Sequence, residues 1–178
     1  YWGDEKFYVY QDGMLQWYTR YKYGQFIYDW DCDDSIYYHY SPMSLLASTE
    51  VYKEGELTNK SNYEYSDLET KITAEGYVNG IWQPLNTVTK RFSSEGCLLS
   101  VETEDHDKPS TLVTYSYDEL GRQSSILTQE KEDGDWINSM IIEYSYYTNG
   151  CIQSAKLSTW QNDEFVATNR ASYELDEN

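Results

Sequence analysis

The chain has 178 residues, enough for one domain with a substantial core and without need of a second. Its 31 acidic against 13 basic residues give a formal charge of -18, which repels a nucleic-acid backbone or an anionic membrane surface. No basic patch offsets that field, since Arg20 with Lys22 and Lys90 with Arg91 are only pairs, and no run approaches the ~20 apolar residues of a membrane helix.

Twenty tyrosines and six tryptophans against three methionines and three prolines favour β structure, because aromatic side chains suit a pleated, half-buried surface. Taken in chain order, the elements announce themselves by a pair of residues two apart, mostly aromatic, just ahead of a turn. The pairs are Tyr8 with Tyr10, Tyr38 with Tyr40, Tyr63 with Tyr65, Lys90 with Phe92, Tyr115 with Tyr117, Tyr144 with Tyr146, and Tyr173 with Leu175. Successive steps of 30, 25, 27, 25, 29 and 29 residues make an internal repeat.

Between the first two pairs lies the least regular stretch, residues 17 to 40. Trp17, Tyr18, Tyr21, Tyr23, Phe26, Tyr28, Trp30, Tyr37, Tyr38 and Tyr40 crowd there beside Arg20, Asp29 and Asp31. Aromatic platforms next to carboxylates suit sugar rings, whose apolar faces stack while their hydroxyls donate hydrogen bonds. Any ligand site is therefore expected at Trp17, Tyr21, Tyr28, Trp30, Asp29 and Asp31; the alternative is that these residues are the first hairpins' share of a scaffold. Ten residues separate Tyr28 from Tyr38 and Trp82 from Phe92, which puts Tyr28 in the slot of Trp82 and Trp30 on the face of the aromatic row. In the same stretch "DWDCDD" spaces Asp29, Asp31 and Asp33 like the first three ligands of a calcium loop. Asp34 stands where glycine is needed and Tyr40 where a bidentate glutamate belongs, so no metal is expected.

Further along, "NGIWQPLNTVTKRFSSEGCLLS" at 79 to 100 matches "DGDWINSMIIEYSYYTNGCIQS" at 133 to 154 without a gap, and Trp82 and Trp136 each precede a turn glycine by fourteen residues. Gly121 recurs as Gly150, and Trp136 with Ile137 as Phe165 with Val166. Ile142, Tyr144 and Tyr146 alternate with Glu143 and Ser145, as Val113, Tyr115 and Tyr117 do with Thr114 and Ser116. That period of two predicts antiparallel strands with one buried and one wet face. His39, between Tyr38 and Tyr40, is expected on the wet face. Positive-φ glycines and the DG or NG pairs supply the turns, and no helical spacing appears.

The expected fold is thus all-β, one domain spanning 1–178: an up-and-down antiparallel meander of about seven two-stranded repeats in a strongly twisted or coiled sheet. The aromatic row calls for a cover, so the sheet coils over its own row or splits into two layers. A sheet wet on both faces is the disfavoured third arrangement. Cys32, Cys97 and Cys151 are odd in number and lack CxxC spacing; Cys97 and Cys151 sit about four strands apart in a meander, too far for a disulfide, so all three are expected as free thiols.

The run Tyr117, Asp118, Glu119, Leu120, Gly121, Arg122 resembles the tyrosine-aspartate (YD) repeat of Rhs proteins and teneurins, and the hairpin grammar is similar to repeats in uncharacterised secreted bacterial proteins. The resemblance implies a secreted, non-catalytic module built from paired strands, in an extracellular, periplasmic or cell-surface setting. The first residue is Tyr1, with neither methionine nor apolar leader, so a soluble chain, processed or trimmed, is expected.

Catalytic signatures are not apparent. Glu102 with Glu104 and Asp105 with Asp107 lie beside turns in a polar stretch that reads as solvated loop. His39 and His106 are far apart and accompany no nucleophile motif, and the glycines are isolated at turns rather than gathered in a phosphate loop. The expected function is a non-enzymatic binding or structural repeat module without cofactor, its partner a glycan or another surface protein. A carbohydrate-binding module is the alternative and a glycoside-processing enzyme the distant third.

Overall fold

The computed structural model describes residues 4–23 and 30–174, with the side chains of 6–19 and 34–174. Among the described residues there are thirteen strands and no helix. In chain order these are β1 (Asp4–Gln11), β2 (Met14–Tyr23), β3 (Trp30–Tyr40), β4 (Leu46–Lys53), β5 (Glu56–Tyr65), β6 (Glu69–Val78), β7 (Ile81–Phe92), β8 (Leu98–Asp105), β9 (Thr111–Tyr117), β10 (Gln123–Glu132), β11 (Asp135–Tyr146), β12 (Ile152–Gln161) and β13 (Glu164–Ser172). Their order in the sheet is their order in the chain. The fold is the up-and-down antiparallel meander that the alternation predicts.

Two kinds of turn recur among the described connections. Asp133 and Gly134 both take positive φ, 51° and 96°, and the same left-handed pair recurs at Asp12-Gly13, Glu54-Gly55, Asn79-Gly80 and Asn162-Asp163. Such two-residue turns match the right-handed twist of a hairpin. In the other kind, the N–H of the first residue donates to the carbonyl of the fifth while the N–H of the fourth donates to the carbonyl of the first. This pattern is shared by Ser41–Leu45, Ser93–Cys97, Asp118–Arg122 and Tyr147–Cys151. Gly121 and Gly150 therefore occupy equivalent turns, as the repeat requires.

The recurring tyrosine also has a physical reason. The hydroxyl of Tyr40 donates to the Leu15 carbonyl at 2.9 Å, Tyr65 to Leu46 at 2.9 Å, Tyr117 to Leu98 at 2.8 Å and Tyr146 to Gln123 at 2.6 Å. In each case the second tyrosine of a pair, at the end of one strand, ties itself to the beginning of the strand before it. Phe92 holds the same place in β7 and has no hydroxyl to give.

Register is interrupted by β-bulges at regular places. Ala47, Ser124 and Gln153 are skipped in the ladders just after the longer turns. Gln16, Thr58, Ser139 and Thr168 are skipped near two-residue turns. A bulge inserts one residue and so transfers the following side chains to the other face. The hydroxyls of Thr58 and Thr168 donate to the carbonyls of Val51 and Leu157, at 3.1 and 3.4 Å, where the ladder breaks.

The chain forms two compact units, residues 1–66 with 70–87 and residues 67–69 with 88–178. Within the second unit Tyr115 and Ile142 both pair with Ile126, so Tyr115, Tyr117, Tyr144 and Tyr146 share one face. Within the first, Tyr8 opposes Tyr18 with rings stacked at 5.5 Å, and Tyr38 opposes Thr49, which opposes Ser61, two residues from Tyr63. These tyrosine faces are the predicted row. The predicted cover is absent from the described residues: no apolar side chain among them is buried, and the buried ones are Thr19, Thr49, Ser154 and Ser158. Tyr8 and Tyr10 remain 53% and 61% exposed, so cross-strand stacking such as that of Tyr8 on Tyr18 shields the row only in part. Cys97 and Cys151 are free thiols; the side chain of Cys32 lies outside the described set.

Candidate functional site

Opposite the tyrosine row, the first unit carries a second set of aromatics. Trp17 pairs with Tyr37, which pairs with Glu50; Thr19 pairs with Ser35, which pairs with Tyr52. Alternation on β2, β3 and β4 brings all six side chains to one face. They line an open concavity of about 480 Å³ with Gly55 at its rim. Trp17 stacks on Tyr37 with ring centroids 6.2 Å apart and planes 28° from parallel, and Tyr37 meets Tyr52 edge to face at 5.3 Å. Tyr37 stays 40% exposed.

The polar groups beside these rings are held in place. Thr19, 2% exposed, shares a 2.7 Å hydrogen bond with Ser35 and donates to the Asp34 carbonyl at 3.1 Å. Tyr52 donates its hydroxyl to Glu50 Oε2 at 3.2 Å, and His39 Nε2 lies 3.4 Å from the same oxygen, an ion pair when the imidazole is protonated. Burial, and after it the Glu50 carboxylate, raises the Tyr52 pKa above the usual phenol value. Tyr52 therefore remains a hydrogen-bond donor across the neutral range.

Further toward the turns at Glu54-Gly55 and Asn79-Gly80, a second concavity of about 420 Å³ is lined by Glu56, Leu57, Tyr77 and Trp82. Leu57 is the cross-strand partner of Tyr52. Tyr77 and Trp82 meet at 5.3 Å, and Lys60 stands over the Trp82 ring at 4.4 Å while bound to Glu75 at 2.9 Å. Lys60 opposes Glu50, so Trp82 belongs to this face and not to that of Tyr63. The expectation that the Trp82 slot shares the face of the aromatic row is corrected here. Trp136 shows the cause: Thr128 pairs with Met140 but Gln129 with Asn138, and the skipped Ser139 moves Trp136 to the face opposite Tyr144.

Of the six residues expected to form a site, Trp17 is in the concavity. Tyr28 and Asp29 lie outside the described residues. Tyr21, Trp30 and Asp31 are described in backbone alone, where Tyr21 opposes Cys32, Asp31 opposes Lys22 and Trp30 opposes Tyr23. Glu50, Tyr52, Thr19 and Ser35 were not singled out by the sequence, although the spacing of two between Trp17 and Thr19, Ser35 and Tyr37, and Glu50 and Tyr52 was there to be followed. His39 is exposed on the face opposite Tyr38 and Tyr40, as alternation predicted.

In the second unit the face opposite its own tyrosines has another character. Glu143 meets Lys156 at 3.0 Å and Ser145 shares a 2.8 Å hydrogen bond with Ser154. Aromatics stand at its turns: Lys131 lies over Trp136 at 5.4 Å, and Trp160 meets Phe165 at 4.8 Å. Two of the four carboxylates that a catalytic reading singles out are engaged in structure. Glu102 holds Arg91 at 3.1 Å, and Asp105 accepts the N–H of Asp107 at 3.0 Å to close a turn. Asp118 binds Arg122 at 2.7 Å and accepts the N–H groups of Leu120 and Arg122, which gives the Tyr-Asp-x-x-Gly-Arg spelling a mechanical reason.

No group of three or more metal-binding side chains occurs among the described residues, and no helix there is long and apolar enough to cross a membrane. No family model and no curated protein matches the chain. Among solved structures, a protein of unknown function from Bacteroides fragilis is similar at 9% identity and a TM-score of 0.27, over 99% of this chain and 97% of that one. A porin-like protein from Bacteroides uniformis is similar at 11% identity and a TM-score of 0.21, over 92% and 86%. At these values neither likeness bears on the fold or the function of this chain.

Proposed function

We propose that this protein is a non-enzymatic binding module of the cell surface or extracellular space, in which the hairpins are scaffold and the Trp17, Tyr37 and Tyr52 face is the contact surface. The observation that carries the reading is the contrast between two faces of one unit. The tyrosine row is spent on the scaffold, through hydroxyls tied to backbone carbonyls. The opposite rings enclose an open concavity beside fixed hydroxyls and a carboxylate. A purely structural module would turn serine, threonine and charge to the solvent, as the second unit does around Ser145, Ser154, Glu143 and Lys156. The extracellular or surface setting rests on the hairpin resemblance and is tested by fractionation of the source cells.

The test is retention of the full chain on a glycan array and on an array of extracellular and cell-envelope proteins, compared with Tyr37→Ala. Removal of a central aromatic anchor is expected to weaken binding by roughly 1 to 3 kcal/mol. Retention unchanged in Tyr37→Ala would move the contact surface elsewhere. No retention on either array would leave the structural reading in its place.

A further inference from the structure

The two concavities described above lie on one face of the first unit, and their apolar walls form a line. Trp17, Tyr37, Tyr52, Leu57, Tyr77 and Trp82 come from six consecutive strands, β2 to β7. Register sets Trp17 beside Tyr37, and Tyr52 with its partner Leu57 one side-chain step closer to the two-residue turns, where Tyr77 meets Trp82. Five strand spacings at about 4.8 Å carry the line over roughly 24 Å. A surface with one apolar platform per strand fits an elongated ligand of repeating units better than a compact one.

We infer that the ligand is a neutral polysaccharide chain, laid across the strands and touching both concavities at once. This rests on the binding reading proposed above and adds the class of ligand and its direction. Three features select it. The chain's charge of -18, and Glu50, Glu56 and Glu75 along the track, repel a polyanion. The acids are not an open field for a basic peptide either, since Glu50 is engaged by Tyr52 and His39, and Glu75 by Lys60. What remains is half-exposed ring surface interleaved with fixed hydrogen-bonding groups: the Ser35 hydroxyl, held from beneath by the buried Thr19, and the Glu50 carboxylate. A sugar ring has the matching chemistry, with C–H faces to stack on aromatics and hydroxyls to donate to carboxylates.

The experiment is affinity electrophoresis of the full chain in gels containing hydroxyethylcellulose, xyloglucan, galactomannan, arabinoxylan or polygalacturonate, followed by calorimetry on oligosaccharides of the retained polymer. At least one neutral polymer is expected to retard the protein, in 0.5 M NaCl as in dilute buffer, while polygalacturonate does not. Oligosaccharides too short to reach both concavities are expected to bind at least 10-fold more weakly than longer ones. Tyr37→Ala and Trp82→Ala should each reduce polymer affinity at least 10-fold, with Tyr37→Phe and Trp82→Phe largely restoring it, and circular dichroism reporting whether each variant is folded.

Absence of retardation by every neutral polymer overturns the inference. So does retardation that Trp82→Ala leaves intact, or equal affinity for short and long oligosaccharides; either would confine the contact to one concavity. A ligand found only among proteins, lost in Tyr37→Ala or screened by salt, would overturn the polysaccharide inference while leaving the binding reading standing. Loss of all binding on both arrays would remove the two together.

Discussion

Ser44 stands at a φ of 62° in the turn position that Gly96, Gly121 and Gly150 fill elsewhere. A side chain there is strained by its own Cβ, so Ser44→Gly is expected to raise stability by about 0.5 to 1 kcal/mol, after allowance for the more flexible unfolded chain. The converse, Gly121→Ala, should cost about 1 kcal/mol; an added Cβ meets nothing within 4 Å, so the cost is backbone strain alone. Urea midpoints of both variants check the pair. The tyrosine ties belong to the same scale. Tyr117→Phe deletes a 2.8 Å hydrogen bond to the Leu98 carbonyl and should cost about 1 kcal/mol. Burial raises the pKa of Tyr38, Tyr65 and Tyr117, with smaller contributions from neighbouring tyrosines and, for Tyr117, Cys97 ahead of Tyr115. A raised folded pKa favours the neutral phenol, so this stabilisation is complete below the unfolded value of about 10 and is lost as pH rises through the folded values. Urea midpoints should hold level to about pH 9 and decline above about pH 10, less steeply in Tyr117→Phe. A midpoint flat to pH 11.5 would contradict that assignment.

Hairpins are the elements, and their bulges decide which side chains meet. Deleting Ser139 would restore continuous alternation in β11 and set Trp136 on the face of Tyr144, away from Lys131. Pairing between β10 and β11 near the Asp133-Gly134 turn would then fail, at a cost of about 2 kcal/mol, while the Ser139→Ala variant, which keeps the bulge and loses only the 3.1 Å bond to Glu130, should cost less. Faster amide exchange in residues 128 to 138 of the deletion, with exchange near Tyr117 unchanged, is the expected result. The same feature marks where sequence reading stopped. Period-two alternation, DG and NG pairs and evenly spaced tyrosines carried the strand type, the turns and the order of the meander. Bulges left no such trace, because Gln16, Thr58, Ser139 and Thr168 are ordinary polar residues whose only effect is to shift parity. Counting by twos placed Trp82 on the wrong face, as it does for the equivalent Trp136 across Ser139, and Trp17 could be named without Glu50 or Tyr52 because its partners lie on strands whose register the sequence does not state.

For the whole molecule, the consequential observation is that no described apolar side chain is buried. Stability then rests on half-buried apolar surface, ladder hydrogen bonds, cross-strand pairs and the tyrosine ties, largely between neighbouring strands, as in repeat arrays whose energetics are sums of nearest-neighbour contributions. Heat capacity tests this directly, since its change on unfolding rises with apolar area exposed and falls with polar area. Globular domains give about 12 to 15 cal/mol/K per residue, and this chain is expected to fall below about 10. Its unfolding should also lose cooperativity, with calorimetric enthalpy exceeding the van't Hoff value, because a break between two hairpins leaves the others their own partners. Scanning calorimetry gives both quantities in one measurement. A heat-capacity change of 12 to 15 cal/mol/K per residue with a single two-state transition would mean that the aromatic faces are covered in solution, and the scaffold would then owe its stability to burial rather than to the hairpin ladder.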